Sequence, residues 1–200
     1  AFEPFLKVIN QRSNVVVNIT PGGAPFMTLD ERLAPAATFQ PELASFNMGS
    51  MNFGVFPLLK RFTEFKHAWE RETLEASKDF VFRNSFKDLD YALDKLNQTG
   101  TRYEFECYDT SHLYNLLYFA EQGRVKPPFF IQTVFGLMGG IGAHPEDVMH
   151  MRRTADRLFG KDYEWSVLGA GRNQMPVAAM SAAVSASMFT LMTYCSSSTS

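Results

Sequence analysis

Glu104 and Glu106 stand two residues apart in the run Tyr103–Tyr108, YEFECY. On an extended strand, residues at that spacing share a face, so both carboxylates and Tyr108 point the same way. Acidic groups inside a strand are uncommon. One can act as an acid, a base or a hydrogen-bond acceptor at the mouth of an α/β fold, or close a strand-end salt bridge with Arg102 or Lys126. Ser50 and Asn52 repeat the spacing in NMGSMNF, beside Gly49, where the missing side chain lets backbone or ligand come close. A hydroxyl and an amide suit a carboxylate or keto oxygen without adding charge; the plainer reading is a turn that satisfies its own backbone. Thr20-Pro21-Gly22-Gly23 can aim backbone N–H groups at an anion, or can simply turn the chain.

Three further stretches carry chemistry-bearing residues. The loop from Gly136 to Gly142 holds four glycines and is a candidate lid or cofactor-facing loop. Gly169-Ala170-Gly171-Arg172 could hold a phosphate through N–H groups at a helix start and the guanidinium. It lacks the third glycine and the acidic ribose partner of a dinucleotide fingerprint. In Asp109-Thr110-Ser111-His112, Asp109 or Ser111 suits a helix N-cap and His112 reads as a structural or surface histidine. The four histidines, His67, His112, His144 and His150, form neither an HxH nor an HExxH pair, and the two cysteines lack ligand spacing, so no metal site is expected within the chain. A GxSxG elbow and a Walker loop are also missing from the sequence.

The elements that must position these groups alternate in type. Asn14–Thr20 (NVVVNIT) predicts a buried strand stopped at Pro21-Gly22-Gly23. Leu43–Phe53 predicts a second strand, the stripe Leu58, Leu59, Phe62, Phe65, Trp69 a helix over 56–77, and 80–84 a short strand. Ser85 with Asp88 resembles a capping box ahead of Phe86, Leu89, Leu93 and Leu96, closing at Gly100. Strands at 103–108, 129–135 and 165–168 then alternate with helices at 111–122, 145–159 and 174–187. Short connections between alternating strands and helices are the signature of a parallel sheet with crossover helices. Polar residues collect at the C-terminal ends of several successive strands, which favours a barrel over an open sheet with one switch point. One domain over 1–187 is expected, with an aberrant, disordered tail over 188–200.

Composition narrows the class. Of 200 residues, 46% are hydrophobic and 20% charged, the balance of an ordinary globular protein, and the formal charge of −2 gives no reason to expect nucleic acid or an anionic membrane. No run is long and apolar enough to span a bilayer. Cys107 and Cys195 do not make a disulfide framework, which reads as a reducing, cytoplasmic setting.

The blocks NVVVNITPGG, ERLAPAATFQPELASFNMGSMNFG, YEFECYDTSHLYN, PPFFIQTVFGLMGGIGAHPED and WSVLGAGRNQMPVAAMSAA, in this order, resemble the β-keto acid cleavage enzymes, typified by 3-keto-5-aminohexanoate cleavage. The resemblance runs from Asn14 to about Ala183. It implies an α/β (β/α)8 TIM barrel, here incomplete, with the first strands and the last strand missing. It implies condensation of a small β-keto acid with acetyl-CoA to an acyl-CoA and acetoacetate. It also implies a zinc ion bound by an HxH pair on an early strand and a Glu on the last, and a homo-oligomeric parent. Carried over by position, Thr20 matches the hydroxyl residue after the third strand, and Ser50 and Asn52 match the pair at the substrate carboxylate. Glu106 matches the carboxylate that meets the distal group, with Glu104 the second choice, and Arg172 matches a family position without an assigned role.

The departures are at the ends. The HxH strand would precede Ala1, and the residues after Ala183, VSASMFTLMTYCSSSTS, contain no Arg, Glu or Asp where the family has all three. The expectation is a truncated or out-of-frame terminus and an inactive fragment. Competing expectations are a non-catalytic barrel module that binds an anionic metabolite, and another metal-dependent aldolase-like barrel.

Overall fold

The computed structural model describes residues 2–24, 26–184 and 188–192. The helices are α1 (Glu3–Arg12), α2 (Leu29–Phe39), α3 (Ala68–Ala76), α4 (Phe86–Asn97), α5 (Thr110–Glu121), α6 (Pro145–Phe159) and α7 (Gln174–Ala183). The strands are β1 (Leu43–Asn47), β2 (Met51–Asn52), β3 (Val81–Phe82), β4 (Arg102–Cys107), β5 (Phe129–Phe135), β6 (Tyr163–Ala170) and β7 (Met188–Met192).

Five strands form one parallel sheet in the order β1-β4-β5-β6-β7, while β2 and β3 pair antiparallel as a separate ribbon. Once that ribbon is set aside, the sheet follows chain order without reversal. A doubly wound sheet reverses at its switch point; a barrel does not. Its two faces differ in the same sense. Phe46, Phe105, Ile131 and Trp165 stand in register on one face and join the main hydrophobic core, with Leu33 of α2, Leu93 of α4, Leu116 of α5 and Met151 of α6. The other face carries Ser45, Asn47, Glu104, Glu106, Gln132 and Ser166. Helices on one face and polar groups on the other make the second face the interior of a barrel.

Several boundaries differ from the sequence reading. Residues 14–20 do not form a named strand. Ile19 N–H donates to the Leu43 carbonyl at 3.0 Å and Leu43 N–H to the Val17 carbonyl at 3.1 Å, so only a short edge pairing forms, with Asn18 bridged to Leu43. Val15 and Val16 are exposed. The expected strand 43–53 is cut after Asn47. Gly49 lies over the His112 ring, where an added Cβ would sit 2.7 Å from Cδ2, and the chain leaves the sheet there. The helix expected over 56–77 is a short 3-10 turn at Phe56–Lys60 followed by α3. Its stripe finds no core, since neither piece buries an apolar side chain and Trp69 is exposed; periodicity without burial does not sustain a long helix.

Helices α1 and α2 have no counterpart in the sequence reading. For α2 a signal was present: Thr28 and Glu31 form a full capping box, the S/T-x-x-E pattern. The Ser85–Asp88 box forms as expected, and Asp109 caps α5. At the C-terminal end, 188–192 form β7, parallel to β6, where a disordered tail was expected from 188. Residues 193–200, including Cys195, lie outside the described residues. Among the described residues, no helix is long and apolar enough to cross a membrane.

Candidate functional site

The interior face of the sheet borders a cavity of about 1050 Å³ whose walls include Asn18, Thr20, Ser45, Glu104, Glu106 and Gln132. Its polar groups come in layers set by strand register. Ser45 of β1 lies beside Glu104 of β4, and one pleat nearer the C-terminal ends Asn47, Glu106, Gln132 and Ser166 stand in a row across β1, β4, β5 and β6. Parallel strands paired in this register place successive interior residues at one height, so residues far apart in sequence share a layer.

The two carboxylates have different surroundings. Glu104 is saturated by the protein. Asn18 Nδ2 donates to its Oε2 at 2.7 Å, Ser45 Oγ to the same oxygen at 2.7 Å, and Gln132 Nε2 to its Oε1 at 2.7 Å. These donors are neutral, and neither Arg102 nor Lys126 pairs with it among the described residues. Glu106 is partly buried and accepts a bond from Tyr108 Oη at 2.7 Å. Burial pushes its carboxyl up to about 7, the Tyr108 hydroxyl pulls it back in part, and the neighbouring charge of Glu104 pushes it further up. Both carboxylates line the cavity. Glu104 is held as a structural acceptor, and Glu106 is the one with capacity left for a ligand.

The other expected site residues lie near the C-terminal ends of the strands. Thr20 borders the cavity, and its Oγ1 accepts from Gly22 N–H at 3.2 Å, closing the Thr20–Gly23 turn. Ser50 and Asn52 follow β1 beyond its C-terminal end. Ser50 Oγ accepts from Asn84 N–H at 2.9 Å, and Asn52 pairs with Val81 in the ribbon. Neither is among the residues bordering the cavity. The glycine loop packs onto this ribbon. At Gly139, with φ +105°, a side chain would drive into the Asn52 carbonyl, and Ile141 N–H donates to the Tyr108 carbonyl at 2.7 Å. Arg172 is exposed beyond the end of β6.

His112 is buried in a structural role. Its Nδ1 accepts from Tyr108 N–H at 3.3 Å, and burial lowers its pKa, partly offset by backbone hydrogen bonds with Ser50 and Glu106. Cys107 faces the helix side, where burial pushes its thiol up. The described residues bring together no three His, Cys, Asp or Glu side chains able to hold a metal. The zinc implied by the resemblance therefore finds no ligand set among them.

Sequence reasoning passed over Asn18, Ser45, Asn47, Ser166 and Arg32. Asn18 sits in the short edge pairing beside β1 and the next three on otherwise apolar strands, and only the register between these segments shows that they meet. Arg32 sits in a helix that the sequence reading did not draw.

A parallel sheet in chain order, helices along one face and an acidic cavity on the other define a barrel-type α/β enzyme scaffold. Residues 1–188 match the model of the beta-keto acid cleavage enzyme family, and the chain belongs to that family. It is 62% identical over 182 residues to a Paraburkholderia graminis protein named 3,5-dioxohexanoate:acetyl-CoA acetone transferase, covering 91% of this chain and 59% of that one. A 3-keto-5-aminohexanoate cleavage enzyme from Acetoanaerobium sticklandii is 27% identical over 167 residues, covering 84% of this chain and 51% of that one. A 3-dehydrocarnitine:acetyl-CoA trimethylamine transferase from Rhizobium meliloti is 27% identical over 152 residues, 75% of this chain and 42% of that one. The chain thus spans between 42% and 59% of the length of these relatives. Among solved structures, apo ObcA superposes with a TM-score of 0.62 at 14% identity, covering 88% of this chain and 40% of that one. ObcA with oxaloacetate gives 0.60 at 13%, covering 92% and 43%. The shared architecture is that of a (β/α)8 barrel, present here in part.

Proposed function

We propose that the protein acts on a small β-keto acid together with acetyl-CoA, yielding an acyl-CoA and acetoacetate. Membership of the family and the acetyl-CoA-dependent names of two relatives support this reading. We further propose that the acid carries a neutral keto oxygen at its distal end, as in the substrate named for the Paraburkholderia relative.

The observation that carries the second point is the Glu106 carboxyl on the cavity wall, with Tyr108 bonded to one oxygen and the pKa raised to about 7 by burial. A carboxyl raised toward neutrality holds its proton at higher pH than an ordinary glutamic acid does. The protonated form donates a hydrogen bond to a neutral carbonyl. An amine or quaternary ammonium would instead call for the ionised form, whose pKa a bound cation would lower. Thr20 and the turn after it suit the substrate's own carboxylate, through the Thr20 hydroxyl and the Gly23 N–H. Glu104, already satisfied, keeps Gln132 in place beside Glu106. The zinc expected from the resemblance would need ligands other than the described residues. A cytoplasmic, homo-oligomeric enzyme that binds neither nucleic acid nor membrane fits this small-molecule chemistry.

Glu106→Gln tests the assignment, because the amide keeps an N–H donor and cannot ionise. The KM for 3,5-dioxohexanoate in the variant at pH 7 should stay within about threefold of the wild type, the scale of exchanging one neutral donor for another. The wild type's KM should rise as pH passes 7 and the variant's should not. A variant that loses the dioxo acid but binds 3-keto-5-aminohexanoate as well as the wild type does would refute the neutral-oxygen reading.

A further inference from the structure

Arg32 lies on α2 with only 9% of its surface exposed. A buried guanidinium is ordinarily matched by a carboxylate, since an unpaired buried charge costs several kcal/mol. Among the described residues no carboxylate lies within ion-pair distance of Arg32; Asp88 acts on it only through space. Its donors go to neutral acceptors instead. Nε donates to the Pro21 carbonyl at 3.1 Å, Nη1 to the Arg83 carbonyl at 3.0 Å and Nη2 to Asn84 Oδ1 at 2.9 Å, while the guanidinium stacks 4.4 Å above the Phe82 ring.

Asn84 extends the connection. Its Nδ2 donates to the Asn47 carbonyl at 2.7 Å, and its backbone N–H donates to Ser50 Oγ at 2.9 Å. The fit is close at the other end too: a Cβ on Gly23 would lie 2.6 Å from Arg32 Cγ. Three segments that are distant in sequence, the Thr20–Gly23 turn, the end of β1 through Ser50, and the end of the β2–β3 ribbon, thus meet at one planar cation and one amide.

We infer that Arg32 and Asn84 are positioning residues that hold the Thr20–Gly23 turn, whose Thr20 borders the cavity, at a fixed separation from the Asn47–Ser50 segment at the C-terminal end of β1. The planar fork of arginine is what allows three carbonyl-type acceptors to be held in three directions at once; a lysine ammonium has no such geometry. The uncompensated positive charge also stands directly behind the turn that borders the cavity, where it favours an anionic group. The relevance to catalysis rests on the reading that this turn receives the substrate's carboxylate.

Two variants of the intact protein test the inference. Arg32→Lys keeps the charge but loses the fork. Asn84→Asp keeps an acceptor for Arg32 but removes the donor to the Asn47 carbonyl. Amide hydrogen exchange is read at Gly22 and at Met48, whose N–H bonds to the Glu106 carbonyl at 3.0 Å. Exchange should accelerate at both amides together, by at least about fivefold, in each variant, with α5 and α6 unchanged. In turnover, the KM for the β-keto acid should rise about tenfold while the KM for acetyl-CoA stays put. A merely structural role would reduce the fraction of active protein and move neither KM. Exchange that stays within about twofold of the wild type at either amide, in either variant, overturns the inference. A wild type that does not turn over the acid with acetyl-CoA would overturn the proposed function instead, and the exchange rates would still decide the role of Arg32 and Asn84.

Discussion

Glu106→Gln should make the stability of the protein less dependent on pH, in a direction that the site fixes. The Glu106 carboxyl moves from an ordinary value of 4.5 up to about 7 on folding, chiefly because burial disfavours its charged form. Below 4.5 the group is protonated in the folded and unfolded chains alike and contributes nothing. Between 4.5 and 7 the unfolded chain releases the proton and the folded chain keeps it, so stability falls as pH rises. Above 7 the full cost is present. At 1.36 kcal/mol for each pH unit of displacement, the difference amounts to about 3 kcal/mol, an upper figure for a carboxyl that water can approach. Urea unfolding at half-unit steps from pH 4.5 to 8, for the wild type and the variant, gives a difference curve. It should rise in favour of the variant across pH 4.5–7 and flatten beyond. A difference that stays level across that window would show that Glu106 ionises as freely in the folded chain as in the unfolded one, and the argument from burial would fail.

Two other substitutions probe local packing. Gly49→Ala places a methyl group 2.7 Å from the His112 ring, which Tyr108 N–H anchors from the other side, and should cost about 1–3 kcal/mol in thermal denaturation. Adding His112→Ala should recover part of that loss; strict additivity would mean that the two residues do not touch. Ser166→Ala removes a fully buried hydroxyl whose Oγ has no hydrogen-bond partner among the described residues, and should be neutral or stabilising by up to about 1 kcal/mol. A loss of more than about 1 kcal/mol in urea titrations would reveal a partner for that oxygen.

The alternation of strand and helix from Ser85 to Ala183 was legible because each element announces itself locally. Ser85 with Asp88, Asp109 before α5, and the apolar period of α4 all act within a few residues. The parity of Glu104, Glu106 and Tyr108 was equally local, since a strand's pleat alone puts them on one face. The family blocks were visible for the same reason, being contiguous runs.

What the chain alone left open is which of two like carboxylates is spent on structure and which is available. That depended on Asn18, Ser45 and Gln132, brought to Glu104 from three other segments by strand register. Local pattern also misjudged part of the stretch 43–84. Its apolar period predicts one strand over 43–53, one long helix over 56–77 and a short strand over 80–84; the short strand forms as β3, whereas the first strand divides into β1 and β2 and the helix is broken, because burial against the rest of the fold, and not periodicity, decides which elements persist. The amino-acid order by itself thus determined the elements from Ser85 to Ala183 and the face that polar side chains such as Glu104 and Glu106 take. Only the tertiary structure decided which of those side chains meet, because hydrogen bonds between layers depend on distances across strands that no local rule contains.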